Sequence, residues 1–348
     1  MPSASRPASF EKSTASLAAA LPYDVVMTAA FSRTFPRSGV GAAMITLFRQ
    51  DGAIDAPAMA RLGHWLLASG CDFLLLFGTT GEGPSLSAAE RIQALREIVA
   101  GGVPAACIVA GTGCAALPDT ITLTAAAGEL RCAGALIVPP FFFHGATQPG
   151  LLTYLDQVLT ATQASGAAVA LYHIPDMSGL GYSDDVIAAL LKRHPGRIQG
   201  IKDSTGDAAH AAGWAKRFPE VAVFGGDDHI IRPLLAAGGA GPMTATAGLA
   251  PALVAEVTAA ARHDHATASA QEDRLNRLWL EVLLAVPVTE AVKLLFAHLT
   301  GDDRWLRMRA PLAPLESAVA EATIAQFKAI DDGSIAGALR GLPDVFSP

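Results

Sequence analysis

The sequence predicts an α/β fold, a (β/α)8 TIM barrel followed by a C-terminal helical extension. Eight short apolar runs flanked by glycine alternate with helical patterns of roughly 10–15 residues, which is typical of βαβ units and a parallel sheet. Eight parallel strands can close into a barrel, whereas an open doubly wound sheet usually holds five or six. The length agrees, because 348 residues with 51% hydrophobic and 16% charged content accommodate one barrel of about 250 residues plus additions.

The predicted strands are short apolar runs without a strict polar alternation, as expected for strands that are buried on both faces. They cover residues 40–46, 73–77, 106–110, 135–138, 169–172, 200–202, 222–224 and 241–244.

The helices between the strands have recognisable start and stop signals. After the second strand, Ser87 and Glu90 have the spacing of a capping box, and a glycine pair ends the pattern. The apolar stripe of this helix is predicted at Ile92, Leu95 and Val99. Similar signals predict helices over residues 55–69 and 183–193.

Composition divides the chain into three regions. Residues 1–35 are rich in serine, alanine and proline without a sustained period, which predicts a flexible N-terminal extension in which Met27 is an alternative start. Residues 36–250 form the predicted barrel. Residues 251–348 form a C-terminal helical region, which we expect to pack on the barrel or on a neighbouring subunit.

The charge pattern indicates a small-molecule partner. A net charge of −7 without a basic patch argues against nucleic-acid or anionic-lipid binding. Four cysteines without a C-x-x-C pair, and nine histidines without a ligand-like spacing, predict neither a disulfide framework nor a metal site. No apolar run approaches the ~18 residues of a membrane span, and no clear signal peptide opens the sequence, so we expect a cytoplasmic protein.

Lys202 is the first candidate catalytic residue. The other five lysines lie in the extension or in helical patterns, whereas Lys202 ends the sixth predicted strand, at the mouth where barrel enzymes place their chemistry. An apolar strand desolvates an amine and so favours its neutral form, which attacks a ketone. The alternative interpretation is a structural ion pair with Asp203 or another carboxylate.

The glycine-rich loop after the second strand is the second candidate. It reads Gly-Thr-Thr-Gly-Glu-Gly over residues 78–83, and its backbone N–H groups and two hydroxyls suit a carboxylate. An ordinary glycine-rich turn remains possible. A phosphate loop is less favoured because no G-K-[ST] follows and the pattern is not G-x-G-x-x-G.

Tyr172 ends the fifth predicted strand, at the same mouth as Lys202. A Schiff-base mechanism must move protons on and off the carbinolamine and the substrate oxygen, and a positioned phenol can do both. A buried tyrosine that only packs is the alternative. His173 faces the opposite side if the strand alternates, and we expect it to be structural.

These elements together resemble the dihydrodipicolinate synthase / N-acetylneuraminate lyase family of pyruvate-dependent class I aldolases. The similarity covers residues 39–314. The matching motifs are GTTGEGPSLSAAER at residues 78–91, AGTG at 110–113, LYHIPDMSG at 171–179, GIKDSTGD at 200–207 and GGDD at 225–228.

The resemblance implies specific roles and an assembly. Lys202 would form the Schiff base, and Tyr172 would shuttle protons over it. Gly78, Thr79 and Thr80 would bind the keto-acid carboxylate, chiefly through backbone N–H groups, with the Thr79 hydroxyl joining the proton relay. No metal or organic cofactor is implied, and a homo-oligomer, commonly a tetramer built from tight dimers, is expected.

The chain departs from the family pattern where the second half of the substrate binds. Met177 stands where the synthase branch has an arginine that grips a second carboxylate, and methionine cannot form that pair. Phe142 stands where many relatives have the tyrosine that completes the proton relay across the dimer interface. The candidates for the outer pocket are Met177, Ser178, Phe142, His144, Asp228 and Met243.

The expected function is that of a Schiff-base lyase of carbon–carbon or carbon–oxygen bonds, acting on pyruvate or a related 2-oxo acid such as a 2-keto-3-deoxy acid. The main alternative, condensation of pyruvate with aspartate semialdehyde by 4-hydroxy-tetrahydrodipicolinate synthase activity, needs another cation, and Arg131, Arg193 and Arg232 are the arginines to inspect. A keto-acid-binding barrel without turnover, a metal-dependent aldolase and a phosphosugar isomerase are the remaining alternatives.

Overall fold

Eight parallel strands close into a barrel in a computed structural model that describes residues 34–264, 266–340, 342 and 344–347. Each strand pairs with its sequence neighbour, and the eighth pairs with the first, which confirms the predicted fold class. The strands are β1 (Gly41–Ala43), β2 (Phe73–Leu76), β3 (Ile108–Gly111), β4 (Gly134–Ile137), β5 (Val169–His173), β6 (Ile198–Asp203), β7 (Ala222–Gly225) and β8 (Gly241–Thr244).

Most strand predictions differ from the structure only at their ends. Strand β8 has the predicted bounds, whereas β6 is longer at both ends than residues 200–202. Strand β1 is shorter than predicted and ends at Ala43. Beyond it, the hydroxyl of Thr46 donates a hydrogen bond of 2.6 Å to the carbonyl oxygen of Gly81, so this segment already supports the loop after β2.

Phe35 plugs the N-terminal end of the barrel. It is 1% exposed, and its ring lies edge-on to Phe224 at 6.0 Å between centroids. Gly134 and Gly200 face this ring, where an added Cβ would lie 2.5 and 2.4 Å from it. Phe35 is therefore part of the barrel core, although the sequence predicts that it lies in the extension. The rest of the predicted extension, with Met27, lies outside the described residues.

The helices on the outside of the barrel follow the strands in order. They are α1 (Ala56–Ala68), α2 (Ala88–Ala100), α3 (Leu117–Glu129), α4 (Gln148–Ala161), the short α5 (Pro175–Ser178), α6 (Asp184–Arg193), α7 (Ala208–Arg217), α8 (Ile231–Ala236), the short α9 (Ala245–Leu249) and α10 (Pro251–His263). The side chains of Asp55 and Ser183 cap α1 and α6, and Ser87 and Glu90 form the predicted capping box of α2.

The predicted apolar stripe of α2 is partly wrong. Leu95 is buried as predicted, but Ile92 and Val99 are only half-buried. Arg91 is buried in the same face, where its guanidinium donates to the carbonyl oxygens of Leu86 and Gly111. A pattern of apolar letters misses this position because an arginine stem can pack while its charged end finds acceptors.

The C-terminal region packs on the barrel. It contains α11 (Ala270–Arg277), a π-helical segment (Leu278–Leu283), α12 (Val288–Thr300), α13 (Ser317–Lys328) and α14 (Ser334–Arg340). Leu275, Leu278, Val282 and Leu283 are buried in the same cluster as the cores of α1 and α2, whereas Leu280 is exposed. Barrel and C-terminal helices therefore share one core.

No single helix among the described residues is long and apolar enough to cross a membrane. By length and composition alone, one pair of segments passes the same test together, residues 270–283 and 288–300, and this pair is bent by 108°.

Candidate active site

Strands β5 and β6 place Tyr172 and Lys202 side by side at the carboxyl end of the barrel. The two residues are register partners, and both side chains are 4% exposed. The amine of Lys202 lies 4.5 Å from the centroid of the Tyr172 ring. Within the described chain, no carboxylate lies within ion-pair distance of this amine, so the ion pair of the structural interpretation is not formed there.

Asp203, the expected partner in the structural interpretation, points away from the barrel mouth. Its carboxylate accepts hydrogen bonds from Nδ1 of His210 at 2.6 Å and from the backbone N–H of Thr205 at 3.0 Å. Successive side chains of a strand alternate between its two faces, so Lys202 and Asp203 point to opposite sides.

His173 also lies on the outer side, as the alternation predicts. Its ring packs edge-on to Trp214 at 4.7 Å and stacks on His210 at 5.0 Å, and its Nδ1 accepts a hydrogen bond from the backbone N–H of Tyr182. Burial lowers the pKa of His173 to about 4. A buried imidazole held in this way is a packing residue rather than a group at the reacting atoms.

The spacing of the histidines along the chain did not predict a cluster, yet the fold brings His173, Asp203 and His210 together. One potential metal-ligand atom of each lies within 4.8 Å of the others. Nδ1 of His173 and Nδ1 of His210 are engaged by Tyr182 and Asp203, respectively. The cluster is thus satisfied by hydrogen bonds within the protein.

The loop after β2 joins this pair of residues. The hydroxyl of Thr79 lies 3.3 Å from the hydroxyl of Tyr172, within hydrogen-bonding distance. The backbone N–H groups of Thr79 and Thr80 have no acceptor in the part of the chain that the structure describes. These two N–H donors and the hydroxyl suit the carboxylate of a 2-oxo acid, and the buried amine suits its carbonyl group.

Steric crowding requires glycine at two positions of this loop, Gly81 and Gly83. An added Cβ at Gly83 would lie 2.1 Å from the carbonyl oxygen of Phe77, and one at Gly81 would lie 2.8 Å from that of Met44. Glu82 between them has a φ of 56°, a left-handed conformation that is uncommon outside glycine. The chain therefore folds back tightly here.

The C-terminal region holds this loop in place. The carboxylate of Glu82 pairs with the amine of Lys293 on α12, and both side chains are fully buried. The same carboxylate accepts a hydrogen bond of 3.0 Å from the backbone N–H of Arg309, and the Thr289 hydroxyl donates to the carbonyl oxygen of Thr80. Sequence reasoning missed this contact, because Glu82 and Lys293 are 211 residues apart.

A cavity of about 900 Å³ opens at the mouth of the barrel, and Thr79, Thr80, Tyr172 and Lys202 line it. The C-terminal region supplies further residues of the lining. They are Trp279, Leu284, Pro287, Val288, Thr289, Glu290, Ala310, Pro311 and Leu312. The C-terminal region therefore forms part of the candidate site in addition to packing on the barrel.

A smaller cavity of about 150 Å³ adjoins the first and shares Thr79, Pro84, Tyr172, Ile174 and Met177 with it. The rest of its lining is mostly apolar and consists of Phe77, Gly78, Gly83, Arg91, Gly111, Gly113, Leu136, Val138, Phe141 and Ser178. Gly78 therefore lies close to the predicted catalytic residues Thr79 and Tyr172, but it lines the smaller cavity and not the larger one.

The outer-pocket candidates are only partly brought together. Met177 lines both cavities and is 65% exposed. Ser178 lines the smaller one, but its hydroxyl already donates to backbone carbonyls of the same turn. Phe142 is 76% exposed and borders neither cavity, and Met243 is fully buried in the barrel interior instead.

Asp228 is not available to a substrate. Its carboxylate accepts hydrogen bonds from the hydroxyls of Thr244 and Thr246, and burial raises its pKa to about 7. The neighbouring Asp227 lines the larger cavity in its place. Sequence inspection had no means of choosing between two adjacent aspartates at the end of a strand.

The arginines considered as replacements for a carboxylate-gripping side chain lie elsewhere. Arg232 is engaged with Glu272, and Arg193 pairs with Asp156 at 3.6 Å on the surface. Neither these two nor Arg131 lines the larger cavity.

Comparison with known proteins identifies a family whose members match most of the chain. The model of the family described as "Dihydrodipicolinate synthetase family" matches residues 36–330. An "Uncharacterized DapA-like lyase" of Chloroflexus aurantiacus is 35% identical over 297 residues, which cover 85% of this chain and 98% of that protein. A "4-hydroxy-tetrahydrodipicolinate synthase" of Anaeromyxobacter sp. (strain K) is 32% identical over 285 residues, or 80% of this chain and 91% of the relative.

A solved structure is also similar. The chloride-inhibited dihydrodipicolinate synthase from Acinetobacter baumannii, complexed with pyruvate, has a TM-score of 0.77 and 29% identity, and the match covers 87% of this chain and 99% of that one.

Proposed function

The chain belongs to the dihydrodipicolinate synthetase family of lyases, and from this membership and the geometry of the site we propose that Lys202 forms a Schiff base with pyruvate or a related 2-oxo acid. The observation that carries the proposal is the buried Lys202 amine beside Tyr172, without a carboxylate partner among the described residues. The pyruvate complex of the Acinetobacter baumannii synthase supports the choice of ligand.

Binding begins at the loop of residues 78–83. The free backbone N–H groups of Thr79 and Thr80 hold the carboxylate of the 2-oxo acid, and the buried pair of Glu82 and Lys293 keeps the loop rigid. Preformed donors lose little entropy when the ligand arrives. This places the carbonyl carbon C2 next to the Lys202 amine.

The amine then attacks C2, and the carbonyl oxygen takes up a proton to give a carbinolamine. Tyr172 donates a proton to the departing hydroxyl, water leaves, and a protonated imine remains between Lys202 and C2. The Thr79 hydroxyl, 3.3 Å from that of Tyr172, passes protons to and from the phenol.

The protonated imine makes the neighbouring carbon reactive. Loss of a proton from C3 gives an enamine that adds to an aldehyde, and in the reverse direction the bond between C3 and C4 breaks while its electrons move into the imine. The same electron sink supports dehydration. Hydrolysis of the imine returns Lys202 and releases the 2-oxo acid.

A second candidate is 4-hydroxy-tetrahydrodipicolinate synthase activity, which condenses pyruvate with aspartate semialdehyde. The names of relatives such as the one from Anaeromyxobacter sp. (strain K) favour it. Met177 at the position expected for an arginine, and the absence of Arg131, Arg193 and Arg232 from the lining of the larger cavity, argue against a second carboxylate. Steady-state turnover separates both enzymatic proposals from a barrel that only binds a keto acid.

Intact mass spectrometry after incubation with pyruvate and sodium borohydride tests the Schiff base. We expect one reduced pyruvate per chain in the wild type and none in Lys202→Ala. Lys216→Ala is the matched control, because Lys216 is exposed at the end of α7, and it should keep the adduct. A wild-type chain that forms no adduct with pyruvate or with longer 2-oxo acids contradicts the proposal.

The proposed assembly is a homo-oligomer, a dimer or tetramer, in the cytoplasm. The exposed side chains of Phe142 and Phe143 support it, since the two rings pack edge to face at 5.5 Å and both are largely exposed. Large exposed apolar side chains next to one another favour burial against another surface. Sedimentation equilibrium of the wild type and of Phe142→Ser tests this, and a monomeric wild type at micromolar concentration contradicts it.

A further inference from the structure

The carboxylate of Glu290 lies on the wall of the larger cavity without a partner in the described part of the chain. Glu290 is 7% exposed, and it lines the same cavity as Lys202 and Tyr172. No hydrogen bond or ion pair from a described residue reaches its side chain. Buried polar groups are usually paired, so an unpaired carboxylate beside a reaction site requires an explanation.

The start of α12 explains why the helix itself does not use this carboxylate. Glu290 is the third residue of α12, the position from which a glutamate commonly accepts a hydrogen bond from the backbone N–H of the residue before the helix. That residue is Pro287, which has no N–H to donate. The side chain of Glu290 is therefore available to the cavity.

Lys293 lies three residues further along α12, but its amine is occupied by other acceptors. It contacts the Glu82 carboxylate and donates to the carbonyl oxygen of Arg307. Burial lowers the pKa of Lys293, and the charges of Glu82 and Glu290 oppose that shift. One cation thus faces two carboxylates, which leaves an excess of negative charge beside the cavity.

The rest of the lining adds further negative charge. Among the described residues that line the larger cavity, Lys202 is the one lysine or arginine, whereas Asp176 and Asp227 are additional carboxylates. In the proposed Schiff base, the cation on Lys202 stands next to the C1 carboxylate of the 2-oxo acid. The described lining therefore has no cation left for a second carboxylate on the substrate.

A second carboxylate in this cavity would be repelled, whereas an uncharged chain would not. Like charges repel more strongly in a partly desolvated site than in water, because the effective dielectric constant is lower. The C-terminal region also contributes apolar side chains to the lining, among them Leu284, Val288 and Leu312. Selective sites commonly combine a repulsive element of this kind with attractive contacts.

We propose that Glu290 is a specificity-determining residue that excludes substrates whose far end is a carboxylate. The substrate class is then a 2-oxo acid with an uncharged chain, and the aldehyde that is joined to it or released from it is uncharged as well. This inference rests on the proposed Schiff-base function. Met177 removes an attraction for a second carboxylate, and Glu290 adds a repulsion.

Two matched ligands test the inference without requiring turnover. 2-Oxoglutarate and its 5-methyl ester share the same 2-oxo acid group, and they differ in charge at the far end. Borohydride trapping with intact mass spectrometry gives the concentration of each that half-saturates the wild type, with pyruvate measured alongside. We expect the ester to half-saturate at a concentration lower by on the order of 10-fold or more.

Glu290→Gln removes the charge and keeps the shape of the side chain. It should lower the half-saturating concentration of 2-oxoglutarate relative to those of the ester and of pyruvate, so that most of the preference for the ester disappears. Glu256→Gln is the matched control, because Glu256 is exposed on α10 and does not line the cavity, and it should keep the preference.

Several results would overturn the inference. They are a wild type that traps 2-oxoglutarate as readily as the ester, a wild type that traps pyruvate but not the ester, and a Glu290→Gln variant that leaves the preference intact or shifts all three ligands alike. A missing pyruvate adduct in the wild type overturns the proposed function itself, so the two failures are distinguishable.

Discussion

Replacing Lys293 by methionine removes the cation from the buried pair that anchors the loop of residues 78–83. Lys293 is 0% exposed, and its amine contacts the Glu82 carboxylate and donates 2.6 Å to the carbonyl oxygen of Arg307. Burial lowers the pKa of Lys293, while the charge of Glu82 raises it. Methionine fills a similar volume, so the change is mainly the loss of charge and of two hydrogen bonds.

The loss of stability depends on the Glu82 carboxylate that remains buried without its partner. Breaking a buried ion pair by removing one partner typically costs about 3–5 kcal/mol, because the other charge stays buried. Glu82 keeps one donor, the backbone N–H of Arg309, and so we expect the lower end, about 3 kcal/mol. Removing both charges in Lys293→Met with Glu82→Gln should cost less than the sum of the single changes.

Urea unfolding at one fixed protein concentration measures the stability, since an oligomer would make it depend on concentration. Lys328→Met is the control, because that side chain is exposed at the end of α13, and its effect should stay within about 0.5 kcal/mol. The pyruvate concentration that half-saturates borohydride trapping should rise on the order of 10-fold in Lys293→Met as the loop loosens.

Two outcomes would refute the reasoning. If Lys293→Met matches the wild type in urea, the pair does not contribute as a buried interaction. If its stability falls while the half-saturating pyruvate concentration stays the same, α12 does not position the loop that holds the carboxylate.

The remaining predictions concern the proton relay, the loop and the outer face of the barrel. Tyr172→Phe should lower kcat by about 10²- to 10⁴-fold while Lys202 is still trapped with pyruvate, more slowly; an unchanged steady-state rate would contradict its role. Gly83→Ala should destabilise the protein by ~1–3 kcal/mol or more, because the added Cβ meets the Phe77 carbonyl. Gly213→Ala, in open space on α7, should instead stabilise the protein by up to ~1 kcal/mol. The denaturant midpoints of the two variants test both expectations. The pKa of His173 falls from 6.5 to about 4 on folding. Between these two pH values the unfolded chain therefore binds more protons than the folded chain. The stability that this site contributes above pH 6.5 should be lost as the pH falls toward 4. His173→Gln should flatten that part of the pH–stability curve, and an unaltered curve would exclude the site as the cause.

Local signals explain why the barrel and the centre of the site were predictable. The period of the apolar runs places Tyr172 and Lys202 at strand ends, and adjacent parallel strands bring such ends side by side. The loop of residues 78–83 is recognisable from its own glycines, and the capping box of α2 spans only four residues. Each of these features depends on neighbours in the chain.

The outer half of the site depended on packing that no local pattern encodes. Alternation along a strand predicts that Asp203 points away from Lys202. In contrast, the conformation of the turn after β7 determines that Asp227 lines the cavity and that Asp228 accepts hydrogen bonds from Thr244 and Thr246. Phe142 was expected at the outer pocket because of its position in the family pattern, and the structure leaves it on the surface.

By itself, therefore, the sequence determined the (β/α)8 fold, the family and the neighbourhood of Lys202, Tyr172 and the glycine loop, because each follows from short-range periodicity or from a contiguous motif. Only the tertiary structure decided that Lys293 anchors the loop through Glu82, and that Trp279 reaches the wall of the cavity. The physical reason is that such contacts join segments far apart in the chain, whose meeting depends on how the C-terminal helices pack against the barrel as a whole.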